Sequence, residues 1–213
     1  MLSSCYASIM RTMQLLARKG GAGKTTLALH LAVAAATAGR SVAIVDADEQ
    51  ASALAWASRR DPDALPILVV AGGRDLALTV ARIDAELVIV DSPPSARTRG
   101  AWQPDRIVVP VQPSALDLAA LGATLDLLGG RELDAMAVLT RCPPRSPEID
   151  EARAYIGRLG LRVAQTTIGE RRDYARALAA GAAATENAPR SRAAREDGHR
   201  IQLTPSEEVE RGS

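Results

Sequence analysis

Arg18-Lys19-Gly20-Gly21-Ala22-Gly23-Lys24-Thr25-Thr26 is the stretch of this 213-residue chain on which the fold depends. Before it, residues 13–17 form a short and mostly apolar run of the kind that makes a buried strand. After it, the alanine- and leucine-rich segment 25–38 is typical of a helix that ends at Gly39. The sequence therefore predicts a glycine-rich turn that joins a strand to a helix.

Lysine is rare in this chain, and both lysines lie in that turn. The sequence has 26 basic residues, but arginine fills every basic position except Lys19 and Lys24. An ammonium group is a compact charge on a flexible stem, whereas a guanidinium group is a wide planar fork. The two lysines therefore mark positions where a compact cation is needed.

The glycines of the turn fit a phosphate group. Gly20, Gly21 and Gly23 carry no Cβ, so successive backbone N–H groups can point inward, and the start of the following helix adds about half a positive charge. We expect Lys24 to reach the β and γ phosphates of a nucleotide and the Thr25 hydroxyl to bind a Mg²⁺ ion. The alternative is a flexible turn with two solvated lysines.

Acidic residues follow two further apolar segments. Residues 41–45 lead into Asp46 and Asp48, and residues 87–90 lead into Asp91. Both segments are typical of buried parallel strands. Because side chains two apart on a strand share a face, Asp46 and Asp48 are predicted to point together toward the phosphates, with a cation or water between them. For Asp91 the alternative is a surface aspartate that ends an ordinary strand.

At these positions the sequence resembles the deviant Walker ATPases of the ParA/MinD family. The ordinary phosphate-binding pattern G-x-x-x-x-G-K-[ST] requires glycine where this chain has Arg18, whereas the family pattern K-G-G-x-G-K-T-T is matched throughout from Lys19 to Thr26. The resemblance implies that ATP and Mg²⁺ are the cofactors. It also implies that Lys19 crosses a dimer interface to the phosphates of the partner's ATP. A solvated loop charge is the alternative for Lys19.

The same resemblance assigns roles to the site residues. It implies that Lys19, Lys24 and Asp48 are catalytic, with Asp48 orienting the attacking water, and that Thr25, Asp46 and Asp91 support the Mg²⁺ shell. The implied nucleotide-binding set is Lys19, Gly20, Gly21, Ala22, Gly23, Lys24, Thr25 and Thr26. One position departs from the family pattern D-x-D-P-Q, because Glu49 replaces the proline.

The rest of the chain alternates between strand and helix patterns. Strands are predicted at residues 106–111, 135–139 and about 162–165, and helices at about 149–159, 171–180 and from a capping box of Ser114 and Asp117 to about residue 128. This alternation predicts an α/β fold with a doubly wound, mainly parallel sheet and helices on both faces. We expect a P-loop ATPase domain at 13–181, an N-terminal extension at 1–12 and a polar, disordered tail at 182–213.

Cysteine and histidine usage excludes several kinds of site. Cys5 and Cys142 are isolated, without C-x-x-C spacing, and His30 and His199 lie far apart, so the sequence predicts no disulfide framework and no zinc or iron–sulfur site. No apolar run approaches about 18 residues, and the C-terminal segment holds only scattered apolar positions. We therefore expect a cytoplasmic protein with no membrane partner.

Positive charge is concentrated near the C-terminus. Residues 152–195 hold nine arginines against three acidic residues, a local charge of +6 in a chain whose net charge is +1. Such an asymmetry can steer a polyanion toward one face. We expect Arg171, Arg172 and Arg176 to contact the phosphates of duplex DNA without reading its sequence. The alternative is a solvated arginine-rich surface.

Among the branches of the family, the chain is most similar to the small plasmid partition ATPases of the ParF kind. This resemblance implies a homodimer that binds nonspecific DNA in its ATP form, associates with the nucleoid and segregates plasmid or chromosomal cargo. It also implies slow intrinsic turnover, stimulated by a small centromere-binding protein of the ParB or ParG kind. Two alternatives stay open: an ATPase that positions a protein assembly over the nucleoid, and a P-loop metabolic ligase or small-molecule kinase.

Overall fold

Seven strands form the centre of the molecule, which we describe from a computed structural model covering residues 11–94, 102–128 and 134–198. The strands are β1 (Arg11–Leu15), β2 (Val42–Asp46), β3 (Leu68–Ala71), β4 (Leu87–Asp91), β5 (Arg106–Val111), β6 (Ala135–Cys142) and β7 (Arg162–Gly169). They build a single sheet in the order β3-β2-β4-β1-β5-β6-β7, and all the neighbouring pairs are parallel.

Helices connect these strands and cover both faces of the sheet. They are α1 (Lys24–Thr37), α2 (Ser52–Ala57), α3 (Leu76–Ala81), α4 (Ala115–Leu128), α5 (Glu148–Arg158), α6 (Arg172–Ala179), α7 (Ala184–Asn187) and α8 (Arg192–Gly198). Buried residues of α1, α2, α6, α7 and α8 join the core of one face, and those of α3, α4 and α5 join the cores of the other. No helix in the described ranges is long and apolar enough to cross a membrane.

The predicted fold is therefore confirmed: the sheet is doubly wound, with helices on both sides. The strands in its middle are apolar and almost wholly buried because both of their faces are covered. Burying one large side chain such as Leu29 stabilises the fold by about 2 kcal/mol. From β1 the chain first builds one half of the sheet, and at β5 it begins the other half. The order in which strands are added therefore reverses beside β1, and α/β proteins bind ligands at such a point.

Three adjacent strands bring the predicted site residues to one edge. Strand β4 lies between β1 and β2, and in the register of these strands Asp91 is paired with Leu15 on one side and with Asp46 on the other. The glycine-rich turn begins shortly after Leu15. The turn and the two aspartates therefore meet at the carboxyl edge of the sheet.

Several boundaries differ from those predicted. Strand β2 ends at Asp46, so Asp48 lies beyond the strand. The N-terminal extension was predicted to reach residue 12, but Arg11 and Thr12 belong to β1, and residues 1–10 lie outside the described residues. The sequence analysis also missed β3, because this short strand lies at the edge of the sheet and is only partly buried.

The prediction of a disordered tail is wrong for residues 184–198. Residues 184–187 form α7 and residues 192–198 form α8, while residues 199–213 lie outside the described part of the chain. The buried tail residues are small, namely Ala183, Ala184, Ala193 and Ala194. Alanines can pack closely against a core without giving the sequence an apolar appearance, which is why composition alone indicated a polar tail.

Polar contacts attach the start of this tail to α2. The Trp56 indole donates a hydrogen bond to the Ala182 carbonyl oxygen at 3.1 Å. The Arg60 guanidinium lies over the Trp56 ring, 4.8 Å from its centroid, and donates to both carboxylate oxygens of Glu186 at 2.7 and 3.1 Å. A partly buried bidentate pair of this kind has a defined geometry, so it fixes α7 relative to the end of α2.

His30 makes a second attachment, from α1 to the tail. Its Nε2 accepts a hydrogen bond from the Ala184 N–H at 3.1 Å, so Nδ1 must carry the proton and donate to the Thr26 carbonyl oxygen at 2.7 Å. The ring also lies edge-on to Tyr174. Burial lowers the pKa of His30 from 6.5 to about 4, although the Thr26 bond and the charge of Glu186 oppose this shift.

Acid should therefore destabilise the fold through His30. As the pH falls from about 6.5 toward 4, the unfolded chain binds a proton at this imidazole before the folded chain does, and the free energy of unfolding decreases by about 3 kcal/mol. In urea titrations between pH 7.5 and 4.5, the wild type should lose more stability than His30→Gln, which has no titrating group at this position. Equal losses would contradict the assigned neutral histidine.

Candidate functional site

The glycine-rich turn has the backbone conformation of an anion-binding loop. Gly21 has a φ of 74° and Gly23 a φ of 99°, in the left-handed region that side chains disfavour. Gly23 is also the N-cap of α1. A Cβ added at Gly20 or Gly21 would meet nothing within 4 Å, so there is open space beside the loop at these two positions. The loop and the positive end of α1 thus border a space that an anion can fill.

Two side chains from neighbouring strands hold this loop in place. The Thr140 hydroxyl donates a hydrogen bond to the Ala22 carbonyl oxygen at 2.9 Å, and the Gln112 amide donates to the Gly21 carbonyl oxygen at 3.1 Å. Both carbonyl groups therefore have partners on the protein side. The sequence analysis missed these residues, although a threonine within an apolar strand and a glutamine directly after one are detectable signals.

Lys24 lies at the end of the glycine-rich loop and is largely buried. It is the first residue of α1, is 7% exposed, and its Nζ is 3.5 Å from the Ala17 carbonyl oxygen. Burial lowers the pKa of this ammonium group, and the negative charges of Asp91 and Asp48 partly restore it. Lys24 is therefore a desolvated cation within the electrostatic reach of two carboxylates.

Asp91 is the most unusual residue of the site. It is fully buried, and neither carboxylate oxygen has a hydrogen-bond partner within the described residues. Its pKa is raised to about 6, mainly by burial, and the nearby charges of Asp46 and Asp48 contribute to this rise. Thr25 and Lys24 oppose the rise, although the Thr25 side chain falls short of a hydrogen bond to Asp91. A buried carboxylate in this state lacks a cation.

Asp46 and Asp48 take different places. Asp46 is buried, and its Oδ2 accepts hydrogen bonds from the Ala53 and Leu54 N–H groups at 2.9 and 3.0 Å. It therefore caps the first turn of α2, whose own N-cap residue is an alanine. Asp48 is half-buried, and its Oδ1 accepts from the Gln50 N–H at 3.0 Å. Both carboxylates lie near Asp91, but they do not project from one strand.

Lys19 is bound within its own chain. Its Nζ lies 2.7 Å from Oδ2 of Asp117, a buried residue in the first turn of α4. The Lys19 side chain is 43% exposed, so it can reach solvent from this position. Asp117 was predicted only as part of a capping box with Ser114. The Asp117 N–H does donate to the Ser114 hydroxyl at 3.2 Å. The Asp117 carboxylate, however, accepts hydrogen bonds from Lys19 and from that hydroxyl.

A cavity opens beside the loop. It has a volume of about 590 Å³ and lies between α1, the ends of β6 and β7, and α6. Its lining includes Gly23, Thr26, Thr140, Arg172 and Tyr174. This volume is typical of small-ligand sites. The cavity is continuous with the start of α1, so a ligand could occupy it and the loop together.

The structure separates the three arginines that were predicted to contact DNA. The Arg171 guanidinium binds Glu196 of α8, with Nη2 2.5 Å and Nε 3.0 Å from Oε1, and Glu196 raises the pKa of Arg171 further. This partly buried pair attaches α8 to the body of the protein, so a DNA phosphate would have to compete with Glu196 for Arg171, and the contact of Arg171 with DNA stays a prediction. Arg172 and Arg176 are exposed one turn apart on α6, and their contact with DNA stays a prediction.

Taken together, these residues fit a nucleoside triphosphate with a divalent cation. The loop N–H groups and Lys24 offer positive charge to phosphates, and Asp91, with Thr25 nearby, offers oxygen ligands of the kind that Mg²⁺ prefers. No group of three or more acidic, histidine or cysteine side chains that could hold a metal ion by themselves occurs among residues 11–94, 102–128 and 134–198. A cation here would therefore share its shell with the bound phosphates.

Comparison with known protein families agrees with this geometry. The family described as the CobQ/CobB/MinD/ParA nucleotide binding domain matches residues 15–184. The match spans the glycine-rich loop and both acidic strand ends, and it reaches the first residue of α7. It therefore extends into the part of the tail whose ordered structure the sequence analysis did not predict.

Individual relatives cover most of the chain. The maintenance of carboxysome distribution protein A of Halothiobacillus neapolitanus is 31% identical over 196 residues, which are 86% of this chain and 90% of that protein. Protein ParA of Rhizobium radiobacter is 28% identical over 170 residues, 73% of this chain and 77% of that protein. The septum site-determining protein MinD of Pyrococcus horikoshii, solved with Mg-ADP, superposes with a TM-score of 0.62 at 16% identity and covers 89% and 93% of the two chains.

Removing the charge of Asp91 should stabilise the empty protein. At pH 7.5 the carboxylate is ionised, and its burial without a partner costs about 3 kcal/mol for a pKa near 6. Asp91→Asn should recover about 1–2 kcal/mol of this in urea unfolding, because the amide is itself left without partners. The same variant should lose the additional stabilisation that Mg²⁺ gives in the presence of ADP.

A matched control is Asp84→Asn, an exposed aspartate just before the same strand. This variant should leave both the stability of the empty protein and the response to Mg²⁺ and ADP unchanged. The assignment of Asp91 is wrong if Asp91→Asn destabilises the empty protein or keeps the full response to Mg²⁺.

Proposed function

This chain belongs to the CobQ/CobB/MinD/ParA nucleotide-binding domain family, and from that premise we propose that it is an ATPase of the ParA/MinD type. We propose further that it dimerises around ATP, binds duplex DNA without sequence preference and positions a cargo on the nucleoid. The observation that carries the ATPase part is the buried Asp91, which has no hydrogen-bond partner in the described ranges and lies beside Lys24 and the glycine loop. The remaining parts of the proposal rest on Lys19 and on the exposed arginines of α6.

The nucleotide has a defined place in this proposal. The phosphates occupy the space inside the loop, facing its N–H groups and Lys24, and the nucleoside occupies the cavity of about 590 Å³ beside Gly23 and Thr26. Thr25 and Asp91 would hold Mg²⁺, with Asp46 supporting the shell from the neighbouring strand. Bound there, Mg²⁺ would neutralise negative charge on the β and γ phosphates.

Hydrolysis is assigned to groups that are already close to one another. Lys24 stabilises charge on the γ phosphate, and Asp48, whose charge reaches both Lys24 and Asp91, orients the attacking water. Neither His30 nor a glutamate is placed as a strong general base within the described residues. Turnover without a partner protein should therefore be slow, and we propose that a small protein of the ParB or ParG kind accelerates it.

Dimerisation depends on the release of Lys19. In the single chain this lysine is bound to Asp117, and it must leave that carboxylate to reach the triphosphate of a second copy. Because the lysine is partly exposed, the ion pair contributes at most about 1 kcal/mol, so the concentrated negative charge of a triphosphate can compete for it. The Lys19–Asp117 pair therefore holds the lysine near the interface without fixing it there.

DNA binding is assigned to α6. Arg172 and Arg176 are exposed on one face of this helix, and Arg190, Arg192 and Arg195 add positive charge in the following segment. Contacts from arginines to phosphates provide affinity but no sequence recognition. Such binding would place the protein on the nucleoid, in agreement with the expected cytoplasmic location.

The cargo is the least constrained part of the proposal. Relatives named for the distribution of carboxysomes are 31% and 34% identical to this chain, and the relative named ParA is 28% identical. This order favours a protein assembly as cargo, and plasmid or chromosomal DNA is the second candidate. Fluorescent fusions in cells with and without a plasmid would separate them, because foci that disappear with the plasmid indicate a DNA cargo.

Loss of Lys19 should abolish ATP-dependent dimerisation. In light scattering, ATP and Mg²⁺ should double the mass of the wild type but leave Lys19→Ala monomeric, and Lys19→Ala should still bind ADP, because Lys24 and the loop are intact. Arg18→Ala, which removes the neighbouring exposed charge, is the matched control and should dimerise normally. A normal mass shift in Lys19→Ala would contradict the proposal.

Neutralising Asp117 should have the opposite effect. Asp117→Asn keeps a hydrogen-bonding side chain next to Ser114 but removes the charge that holds Lys19. Because both protomers release this pair, at about 1 kcal/mol each, the ATP-dependent dimer should form at a protein concentration up to about thirty-fold lower. Dimerisation that is weaker than in the wild type would show that Asp117 does not compete with the nucleotide for Lys19.

Substitution of the α6 arginines should weaken DNA binding and its salt dependence together. For the double variant Arg172→Ala/Arg176→Ala, the slope of log affinity against log salt should decrease by about 0.9 for each DNA phosphate that the protein no longer binds. The control Arg82→Ala/Arg158→Ala removes the same charge from exposed positions at the ends of α3 and α5, and its slope should not change. An unchanged slope in the α6 variant would return its arginines to the role of a solvated surface. ADP affinity is measured in parallel because Arg172 also lines the cavity.

A further inference from the structure

Gln14 is a polar side chain in an otherwise apolar position. It lies in the central strand β1 between Met13 and Leu15, and it is only 2% exposed. On the same face of the sheet its neighbours are apolar. Val88 and Val90 belong to one apolar cluster, and Leu16 belongs to another. A leucine would suit this place, whereas an amide loses its hydration on folding.

The Gln14 amide makes one buried contact to the segment that follows Asp91. Its Nε2 donates a hydrogen bond to the Ser92 hydroxyl at 2.8 Å, while its Oε1 is buried and has no hydrogen-bond partner in the part of the chain that the structure describes. With the amide rotated by 180°, Oε1 would accept from the same hydroxyl, and the two residues would still be connected. The contact therefore does not depend on which amide atom faces Ser92.

Ser92 is the residue at which the chain leaves the sheet. It follows Asp91 directly and is 1% exposed. The next two residues, Pro93 and Pro94, have no amide hydrogen and cannot anchor the backbone by donating a bond. The Gln14 contact thus connects the first residue of this loop to the middle of β1, one residue after the carboxylate that the Mg²⁺ assignment requires.

We propose that Gln14 is a positioning residue for ATP hydrolysis, acting through Ser92 to fix the main chain at Asp91. Gln14 and Ser92 lie on the face of the sheet opposite α1, whereas Asp91 points toward the nucleotide side, so Gln14 touches neither phosphate nor Mg²⁺. The inference rests on the proposed ATP hydrolysis and is independent of DNA and cargo. It explains why a buried amide with an unpartnered atom is found where an apolar side chain would cost the fold less.

The test uses two variants that keep the volume of the site nearly unchanged. Gln14→Leu and Ser92→Ala each remove one partner of the hydrogen bond, and the double variant removes both. We expect kcat for ATP to fall about three- to ten-fold in each single variant, with KM for ATP changed less than about two-fold, since the loop and Lys24 are untouched. The double variant should be no slower than the slower single variant, because both changes remove the same interaction.

A second readout does not depend on activity. Nucleotide-induced thermal stabilisation is measured with ADP at increasing Mg²⁺, and Gln14→Leu should need about three- to ten-fold more Mg²⁺ for half of the effect. Without ligand, Gln14→Leu should unfold at the same or a higher urea concentration than the wild type. The control is Thr12→Val, which removes a buried polar group of the same strand whose hydrogen bonds go to Asp105 instead of the loop. It should lower stability but leave kcat and the Mg²⁺ midpoint unchanged.

The outcomes separate this inference from the proposed function. An unchanged kcat and an unchanged Mg²⁺ midpoint in Gln14→Leu would overturn the inference, whatever the protein does with DNA. A change of equal size in Thr12→Val would also overturn it, because the effect would then follow from stability alone. A wild type that hydrolyses ATP but neither dimerises nor binds DNA would instead contradict the proposed function. In that case kcat and the Mg²⁺ midpoint of Gln14→Leu would still decide whether Gln14 is a positioning residue.

Discussion

The charge of Asp91, buried without a hydrogen-bond partner among the described residues, is the constraint on which the rest of the site depends. Desolvation makes this carboxylate costly, and Asp46 on the next strand makes it more costly still. Burial likewise lowers the pKa of the nearby Lys24 ammonium group. The site therefore holds groups of both signs that are poorly solvated, and a ligand with phosphates and a divalent cation would satisfy all of them at once.

The fold connects this site to the C-terminal tail through α2. Asp46 caps the first turn of that helix, and the other end of the helix is attached to the tail by Trp56 and by the bidentate pair between Arg60 and Glu186. The tail in turn packs against α6 through Glu196, which binds Arg171 and the Tyr174 hydroxyl. The acidic edge of the sheet and the arginine-bearing helix are thus joined by specific contacts.

Sequence reasoning succeeded where the chemistry is local. The strand, turn and helix around the glycine-rich loop follow from adjacent residues, and Asp46 and Asp91 were found because each ends an apolar strand. It failed where a partner comes from a distant segment. The Lys19–Asp117 pair joins residues 98 positions apart, and the link from Thr140 to Ala22 spans 118. No periodicity or spacing in a single sequence encodes such contacts.

One further error has a physical cause of the same kind. The tail looked polar because its buried residues are alanines, and the partner of Arg171, Glu196, was therefore assigned to a disordered segment. Once that segment folds back, the guanidinium is neutralised and most of its surface is covered. Counting charges along a sequence thus overstates the unpaired charge on a surface wherever a carboxylate from a distant segment forms an ion pair with an arginine of that surface.

We infer that Lys19 changes partners when ATP binds. The decisive experiment is a crystal structure of the protein with Mg²⁺ and a non-hydrolysable ATP analogue. We expect a two-fold dimer in which each Lys19 ammonium group has left Asp117 and contacts the phosphates bound by the other protomer. A nucleotide-loaded single protomer in which Lys19 still lies on its own Asp117 would rule out this exchange.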